Sequence, residues 1–193
     1  MNKSRTEAMI LWRRTAEALA MGAVVMALSQ IGYPQEKQEY EVKAAFLLNF
    51  VYFVEWPATA FGSKADPLVI CIYAQDPFRG AMQQTVAGKT VGERVVVVRQ
   101  IPDAAAAAGC HLIFIPASQD RRTRQISIGP ADQAVLLVGE TDGFAERGGS
   151  VNFVLDGDKL RFQINAGAAA GRGLKVSSKL LQLAIIVGGK GPK

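Results

Sequence analysis

The segment 67–78, PLVICIYAQDPF, decides the fold. Its first half, Leu68 to Tyr73, is a continuous apolar run with the length and composition of a strand that is buried on both faces. Asp76 as N-cap and Pro77 as first helical residue then predict a short helix that continues towards Val86. A buried strand followed directly by a helix begins a βαβ unit, and such units build parallel sheets.

The chain downstream repeats this alternation of apolar runs and short helices. Residues 95–98, 112–115 and 134–138 predict further strands, and residues 104–108 and 118–128 predict the helices between them. Two alternating segments, 151–155 and 160–164, then flank Asp156-Gly157-Asp158 and predict a β-hairpin. The pattern indicates an α/β fold, a Rossmann-like three-layer domain with a mostly parallel mixed sheet of about six strands that ends in a β-hairpin.

Two further helices are predicted at the ends of this pattern. Residues 39–54 form a helical pattern that is apolar on nearly every side, so the helix is either central or covered by a partner, and Trp56-Pro57 ends it. Residues 29–38 are polar and predict a lead-in without regular structure. Residues 177–187 predict a last helix with Leu180, Leu181, Ala184 and Val187 directed inward.

The first 33 residues have the pattern of a cleaved signal peptide. Four basic residues within positions 3–14 precede an uncharged run over 18–28, which is shorter than the roughly 20 residues of a membrane-spanning helix. An amphipathic helix or retained anchor is the alternative, because Glu17 borders the run. We therefore expect export to the periplasm and a single domain over residues 34–193, in which 18 basic and 15 acidic residues give no indication of nucleic-acid binding.

Two cysteines, Cys71 and Cys110, lie in apolar strand-like runs of the exported part. An even number of cysteines in an exported chain predicts a structural disulfide, and two buried free thiols are the alternative.

The residues that catalysis would use do not form a recognisable site. His111 is the single histidine and begins a buried strand, so a structural role in the core or at the strand end is favoured. The carboxylates of Glu140, Asp142 and Glu146 do not have the spacing of an EF-hand, and the glycines around them lack a phosphate-loop spacing. Arg121, Arg122 and Arg124 are predicted to form a solvated helix face. We predict no enzyme, no catalytic residues, no metal site and no cofactor.

These motifs, taken in order, resemble those of the YfiR family of periplasmic proteins over residues 40–187. The pieces that carry the resemblance are Tyr40-Glu41-Val42-Lys43-Ala44-Ala45-Phe46, Asn49-Phe50, Phe53-Val54-Glu55-Trp56-Pro57, Asp76-Pro77-Phe78, Gly109-Cys110, Gly143-Phe144-Ala145-Glu146-Arg147-Gly148-Gly149, Val151-Asn152-Phe153 and Lys175-Val176-Ser177-Ser178-Lys179-Leu180-Leu181.

The resemblance implies a regulator rather than a catalyst. It implies repression of an inner-membrane diguanylate cyclase through the periplasmic sensor region of that enzyme, which lowers cyclic di-GMP. It also implies an outer-membrane OmpA-like lipoprotein that sequesters the regulator. Cys71 and Cys110 match the structural disulfide of the family, whereas Ala145 and Asn152 occupy the region in which some relatives carry a second cysteine pair.

We predict contact residues for such a regulator as follows. The partner surface is expected to include Lys175, Ser177, Ser178 and Lys179, which open the last helix, together with Phe46 and Phe50 of the apolar helix. Asp76 and Phe78, at the carboxyl end of the first buried strand, are expected to line a small-ligand crevice. The apolar helix also predicts a homodimer. The alternative function is a periplasmic small-ligand-binding module that serves another membrane sensor, such as a histidine kinase.

Overall fold

The computed structural model describes residues 33–119 and 133–188. The chain divides into two units, Met1–Glu39 and Tyr40–Lys193, and the second contains the whole sheet. The predicted signal peptide, most of the predicted helix 118–128 and its three arginines lie outside the described residues. No helix within the described ranges combines the length and hydropathy that crossing a bilayer requires.

The described chain contains four α-helices and ten β-strands. The helices are α1 (Tyr33–Phe53), α2 (Ala81–Val86), α3 (Ala166–Gly171) and α4 (Ser178–Leu183). The strands are β1 (Val54–Glu55), β2 (Leu68–Tyr73), β3 (Thr90–Val91), β4 (Arg94–Ile101), β5 (Leu112–Ile115), β6 (Leu136–Gly139), β7 (Val151–Asp156), β8 (Lys159–Ile164), β9 (Lys175–Val176) and β10 (Ile185–Ile186).

The main sheet has eight strands in the order β10-β8-β7-β6-β5-β2-β4-β3. Its centre, from β4 to β7, is parallel. Strand β8 runs antiparallel to β7, β3 runs antiparallel to β4, and β10 runs parallel to β8. The predicted α/β class, the mostly parallel sheet and the terminal hairpin are therefore confirmed. The sheet exceeds the expected six strands because β3 and β10 have two residues each, too few to show a periodicity in sequence.

Both faces of the central strands are buried. In β2, Leu68, Ile70 and Ile72 enter the larger core cluster, whereas Cys71 and Tyr73 enter a smaller cluster on the opposite face. The larger cluster also contains apolar residues of α1, α2, α3 and α4, and the smaller contains Ala107 from a 3₁₀ turn and Phe144 from the loop after β6. This burial on two sides explains why the strands are apolar at consecutive positions.

The predicted N-cap at Asp76 is wrong. Its Oδ1 accepts a hydrogen bond from the backbone N–H of Phe78 at 2.8 Å, which closes a turn rather than a helix. Arg79 and Gly80 then adopt left-handed φ angles of 51° and 91°. Because left-handed residues cannot belong to a right-handed helix, α2 begins only at Ala81.

Other helix boundaries also differ from the predictions. Helix α1 begins at Tyr33, so the expected lead-in is helical from that residue onward. The alanine-rich segment forms a 3₁₀ turn, Ala104–Ala107, which Asp103 caps by accepting from the N–H groups of Ala105 and Ala106. Helix α4 ends at Leu183 rather than at Val187, because the β-branched Ile185 and Ile186 leave the helix to pair with β8.

The loop after β6 is fixed by one aromatic ring. The ring of Phe144 covers the Cα positions of Gly139 and Gly149, and a Cβ added at either glycine would overlap that ring. At Gly139 the added atom would lie 2.5 Å from Phe144 Cγ. The glycines of the segment therefore provide space for a buried ring, which is a packing role.

Substitution of Gly139 by alanine is expected to lower the free energy of unfolding by about 1–3 kcal/mol, because Phe144 must leave its position. Gly171→Ala is the matched control, since no atom lies within 4 Å of its added Cβ, and it should change stability by less than about 1 kcal/mol. Urea denaturation of both variants measures the difference. Equal effects of the two substitutions would contradict the packing role.

Candidate functional site

A buried ion pair lies at the carboxyl edge of the sheet. Glu140 directly follows β6, and its Oε2 lies 2.6 Å from the Nζ of Lys43 on α1. The side chains of Lys43 and Glu140 are only 6% and 4% exposed. The other oxygen, Oε1, accepts hydrogen bonds from the Tyr40 hydroxyl at 3.0 Å and from the backbone N–H of Ala117 at 2.8 Å. The pair therefore joins α1 to the loops that follow β5 and β6.

The geometry of this pair indicates a structural tie. Both carboxylate oxygens of Glu140 are engaged by donors within the chain, and the Lys43 Nζ also lies 4.6 Å from the centre of the Tyr40 ring. A buried carboxylate satisfied in this way is not presented to a substrate as a base. This pair was not predicted from the sequence, although Lys43 is the single charged residue between positions 42 and 54, a signal that could have indicated a buried partner.

The predicted crevice at Asp76 and Phe78 is closed in the structure. Phe78 is only 3% exposed, and its ring packs edge-on against Tyr40 at 5.4 Å and Phe114 at 5.1 Å between centroids. The aromatic side chain fills the space at the carboxyl end of β2 that a ligand would need. We therefore correct that assignment: Phe78 is a core residue, and Asp76 stabilises the turn before it.

Replacement of Lys43 by methionine should lower the free energy of unfolding by about 3–5 kcal/mol, because Glu140 is left buried without a counter-charge. The double variant Lys43→Met/Glu140→Gln should recover most of this loss, since an amide oxygen can still accept from Tyr40 and Ala117. Lys175→Met, in the exposed pair with Glu55, is the control and should cost less than about 1 kcal/mol. A chemical-denaturation cycle gives all these values, and a double variant as unstable as the single one would refute a role confined to charge compensation.

His111 occupies a structural position at the opposite, amino edge of the sheet. Its Nδ1 accepts from the backbone N–H of Val69 at 3.1 Å, so its Nε2 carries the hydrogen and donates to the Ala60 carbonyl at 3.1 Å. The ring stacks on Phe61 with centroids 4.4 Å apart. His111 therefore holds the segment after β1 against β2, and both ring nitrogens are used in doing so.

Burial lowers the pKa of His111 from its ordinary value of 6.5. The unfolded chain then binds a proton more readily than the folded chain, so stability should be complete above about pH 7 and decline as the pH falls below 6.5. We expect the free energy of unfolding to decrease between about pH 7 and pH 5.5, and His111→Asn to show a flatter profile over that interval. Urea denaturation at each pH measures this, and identical profiles for the two proteins would exclude His111 as the titrating group.

A short ribbon next to the end of α1 carries most of the predicted partner residues. Strand β1 pairs antiparallel with β9, and the exposed side chains of Glu55 and Lys175 approach to 3.3 Å. Ser177 Oγ caps α4 by accepting from Leu180 N–H at 3.3 Å, and its own N–H donates to the Phe53 carbonyl at 2.9 Å. Ser178 and Lys179 follow and are exposed. We call Tyr52, Glu55, Lys175, Ser178 and Lys179 the ribbon surface.

The two predicted aromatic contacts on α1 occupy different environments. Phe50 is fully buried and packs on Phe153 and Phe162, so it is a core residue and is not available to a partner. Phe46 is half-buried against the same cluster. Tyr52, 42% exposed, presents an aromatic ring to solvent in the last turn of the helix instead.

The predicted cysteine pair forms a disulfide with a Cα–Cα distance of 5.8 Å. It connects Cys71 in β2 to Cys110, which lies two residues before the neighbouring parallel strand β5, and both cysteines are buried. Arg99 covers it, since its Nη2 lies 3.2 Å from Cys110 Sγ and donates to the Ala108 carbonyl at 2.7 Å.

A cavity of about 490 Å³ lies at the amino edge of the sheet. Its lining comes from four segments: the residues after β1, those before β5, those before β6, and the end of α3 with the two residues that follow it. These residues are Pro57, Thr59, Ala60, Gly109, Gln133, Ala134, Gly171, Arg172 and Gly173. The ligand crevice predicted at Asp76 and Phe78 lies at the other edge of the sheet. The cavity itself was not predicted, because its walls are mostly small residues from segments distant in sequence.

The family model described as YfiR/HmsC-like matches residues 40–185, which is most of the chain. The chain belongs to the YfiR/HmsC-like family. The matched range begins at Tyr40 and includes the buried ion pair, the disulfide and the ribbon.

Solved structures add information on the fold alone. A conserved domain protein from Vibrio cholerae O1 biovar El Tor is similar with a TM-score of 0.52 at 10% identity, over 76% of this chain and 59% of that protein. The chain thus spans less than two thirds of that relative. An ABC domain from Streptococcus pneumoniae in complex with L-Trp has a TM-score of 0.39 at 12% identity, over 63% of this chain and 55% of that one, and supports no argument. No curated protein matches the sequence significantly.

Proposed function

We propose that this protein represses an inner-membrane diguanylate cyclase by binding the periplasmic sensor region of that enzyme. The observation that carries the proposal is the match to the YfiR/HmsC-like family, which supports a periplasmic regulator of cyclic di-GMP signalling. The contact surface that we propose is the ribbon surface, an exposed aromatic ring and two exposed lysines on backbone that is tied to the core. Exposed Tyr side chains contribute strongly to protein interfaces, and cations at the rim steer association with an acidic partner.

The ribbon is a firm support for such contacts. The Ser177 N–H bonds to the last residue of α1, while Leu174 and Leu180 on either side of Ser177 enter the larger core cluster. A surface held in this way loses little conformational entropy when it is bound. Binding would shift the cyclase towards an inactive arrangement of its periplasmic part, and release would restore activity.

The proposal includes two further partners. An outer-membrane OmpA-like lipoprotein would compete for the regulator and thereby release the cyclase, and two copies of the chain would associate as a homodimer. Overproduction of that lipoprotein should raise cyclic di-GMP only in cells that contain the regulator. Sedimentation of the purified protein reports the dimer.

Deletion of the gene should raise intracellular cyclic di-GMP, and the rise should vanish when the target cyclase is also deleted. Wild-type protein supplied in trans should restore repression, whereas Lys175→Glu/Lys179→Glu should fail because two cations of the ribbon surface are reversed. The control is Lys89→Glu/Lys159→Glu, two exposed lysines outside the ribbon, which should repress normally. Cyclic di-GMP is measured by mass spectrometry at matched periplasmic protein levels.

The outcomes of this experiment distinguish repression of the cyclase from the identity of the contact surface. Unchanged cyclic di-GMP on deletion would contradict repression itself. Repression restored equally by both charge-reversal variants would leave the cyclase as target but exclude the ribbon surface as the contact.

A second candidate is a periplasmic small-ligand-binding module that serves another membrane sensor, such as a histidine kinase. The cavity beside Arg172 favours it. Under this alternative, deletion would change the output of that sensor while cyclic di-GMP stayed constant.

A further inference from the structure

The cavity at the amino edge has the dimensions of a small-molecule site. Its volume of about 490 Å³ is within the range that pockets for such ligands occupy. Gly109, Gly171 and Gly173 line it with backbone, and Pro57, Ala60 and Ala134 give it short apolar side chains. A ligand can therefore approach the main chain closely and place a hydrocarbon body against the apolar part of the wall.

Arg172 brings a positive charge to this cavity that no described residue pairs. Its Nη1 is buried and has no hydrogen-bond partner in the part of the chain that the structure describes, and none of the nine described lining residues is acidic. Desolvation lowers the pKa of Arg172, although a guanidinium remains cationic at neutral pH. A buried donor without a partner destabilises the folded chain, so its presence needs an explanation outside the chain's own contacts.

Gln133 adds an acceptor to the same cavity. Its Nε2 faces the carbonyl oxygens of Ala107 and Cys110 at 3.5 and 3.4 Å, which fixes the orientation of the amide. Its Oε1 is buried and accepts from no donor of the described ranges 33–119 and 133–188. Arg172 thus lacks an anionic partner, and Gln133 lacks a hydrogen-bond donor to its Oε1.

We propose that this cavity binds a small organic carboxylate that also carries a hydroxyl or ammonium group. The carboxylate would pair with the guanidinium of Arg172, whose planar donors match its geometry, and the hydroxyl or ammonium would donate to Gln133 Oε1. A phosphate monoester fits less well, because it carries up to two negative charges and the described lining residues include a single cation. The proposal concerns binding by this chain and does not depend on repression of a cyclase.

The test uses the oxidised protein purified from the periplasm and 3-phenyllactate, which has a carboxylate, a hydroxyl and an apolar body. Isothermal titration should show saturable binding, weakened roughly tenfold or more by Arg172→Gln. Arg172→Lys should retain part of the affinity, and Arg161→Gln, an exposed arginine on the hairpin, should leave it unchanged. Two analogues complete the set: 3-phenylpropanoate, without the hydroxyl, should bind more weakly, and 3-phenylpropane-1,2-diol, without the carboxylate, should not bind.

A second measurement needs no ligand. If Arg172 is kept for binding, Arg172→Gln should melt at the same temperature as the wild type or higher, because the substitution removes a buried charge that has no partner. A melting temperature lowered by several degrees would show that the guanidinium is a structural anchor and would overturn the proposal. The proposed carboxylate binding would also be overturned if 3-phenyllactate showed no saturable binding up to about 10 mM, or if Arg172→Gln left its binding unchanged.

Discussion

The fold depends on the burial of its central parallel strands on both faces. Strands β2, β5 and β6 are apolar at nearly every position, so each face must be covered if the sheet is to persist in water. Helix α1 provides much of the cover on one face, and the Lys43–Glu140 pair joins that helix to the edge of the sheet. On the other face, the described cover consists of a 3₁₀ turn, the disulfide and the Phe144 loop. Within the described residues, small and specific contacts cover this face of the sheet.

The parts of the fold that could be predicted are those that leave a periodic or compositional signal. The runs at 68–73 and 112–115 became strands with the predicted bounds, because a six- or four-residue apolar run with β-branched residues has few alternatives beside a parallel neighbour. The helix expected after Asp76 was displaced because the left-handed conformations of Arg79 and Gly80 are not encoded in any helix signal. Strand β10 was predicted as part of a helix, because Ile185 and Ile186 are apolar in both patterns and only the pairing with β8 decides between them.

Among site residues, Phe50 and Phe78 show the same ambiguity, since an aromatic residue in a motif gives no sign of whether it faces the core or a partner. The cavity beside Arg172 is formed by four segments together and has no local signature in the sequence.

The two edges of the sheet differ in what they offer. At the carboxyl edge, where open α/β sheets usually bind ligands, the donors and acceptors of Tyr40, Lys43 and Glu140 are satisfied by one another and Phe78 fills the remaining space. At the amino edge, His111 and Trp56 fix the segment after β1 to the sheet, and the same segment contributes a wall of the cavity. A regulator needs a surface that a partner can recognise and a place at which a signal can enter. The proposed partner surface and the proposed ligand cavity both use segments next to the β1–β9 ribbon.

The disulfide between β2 and β5 gives the protein two levels of stability according to compartment. It closes a loop with a sequence separation of 39 residues, for which the chain-entropy relation gives about 4 kcal/mol. Typical domains are stable by only about 5–15 kcal/mol, so the reduced chain lacks a large share of its stability. In the reducing cytoplasm the polypeptide would therefore remain easier to unfold, which suits passage through a translocation channel as an extended chain. Oxidation in the periplasm would then form the disulfide and stabilise the folded state. The same covalent bond would thereby favour unfolded chain before export and folded protein after it.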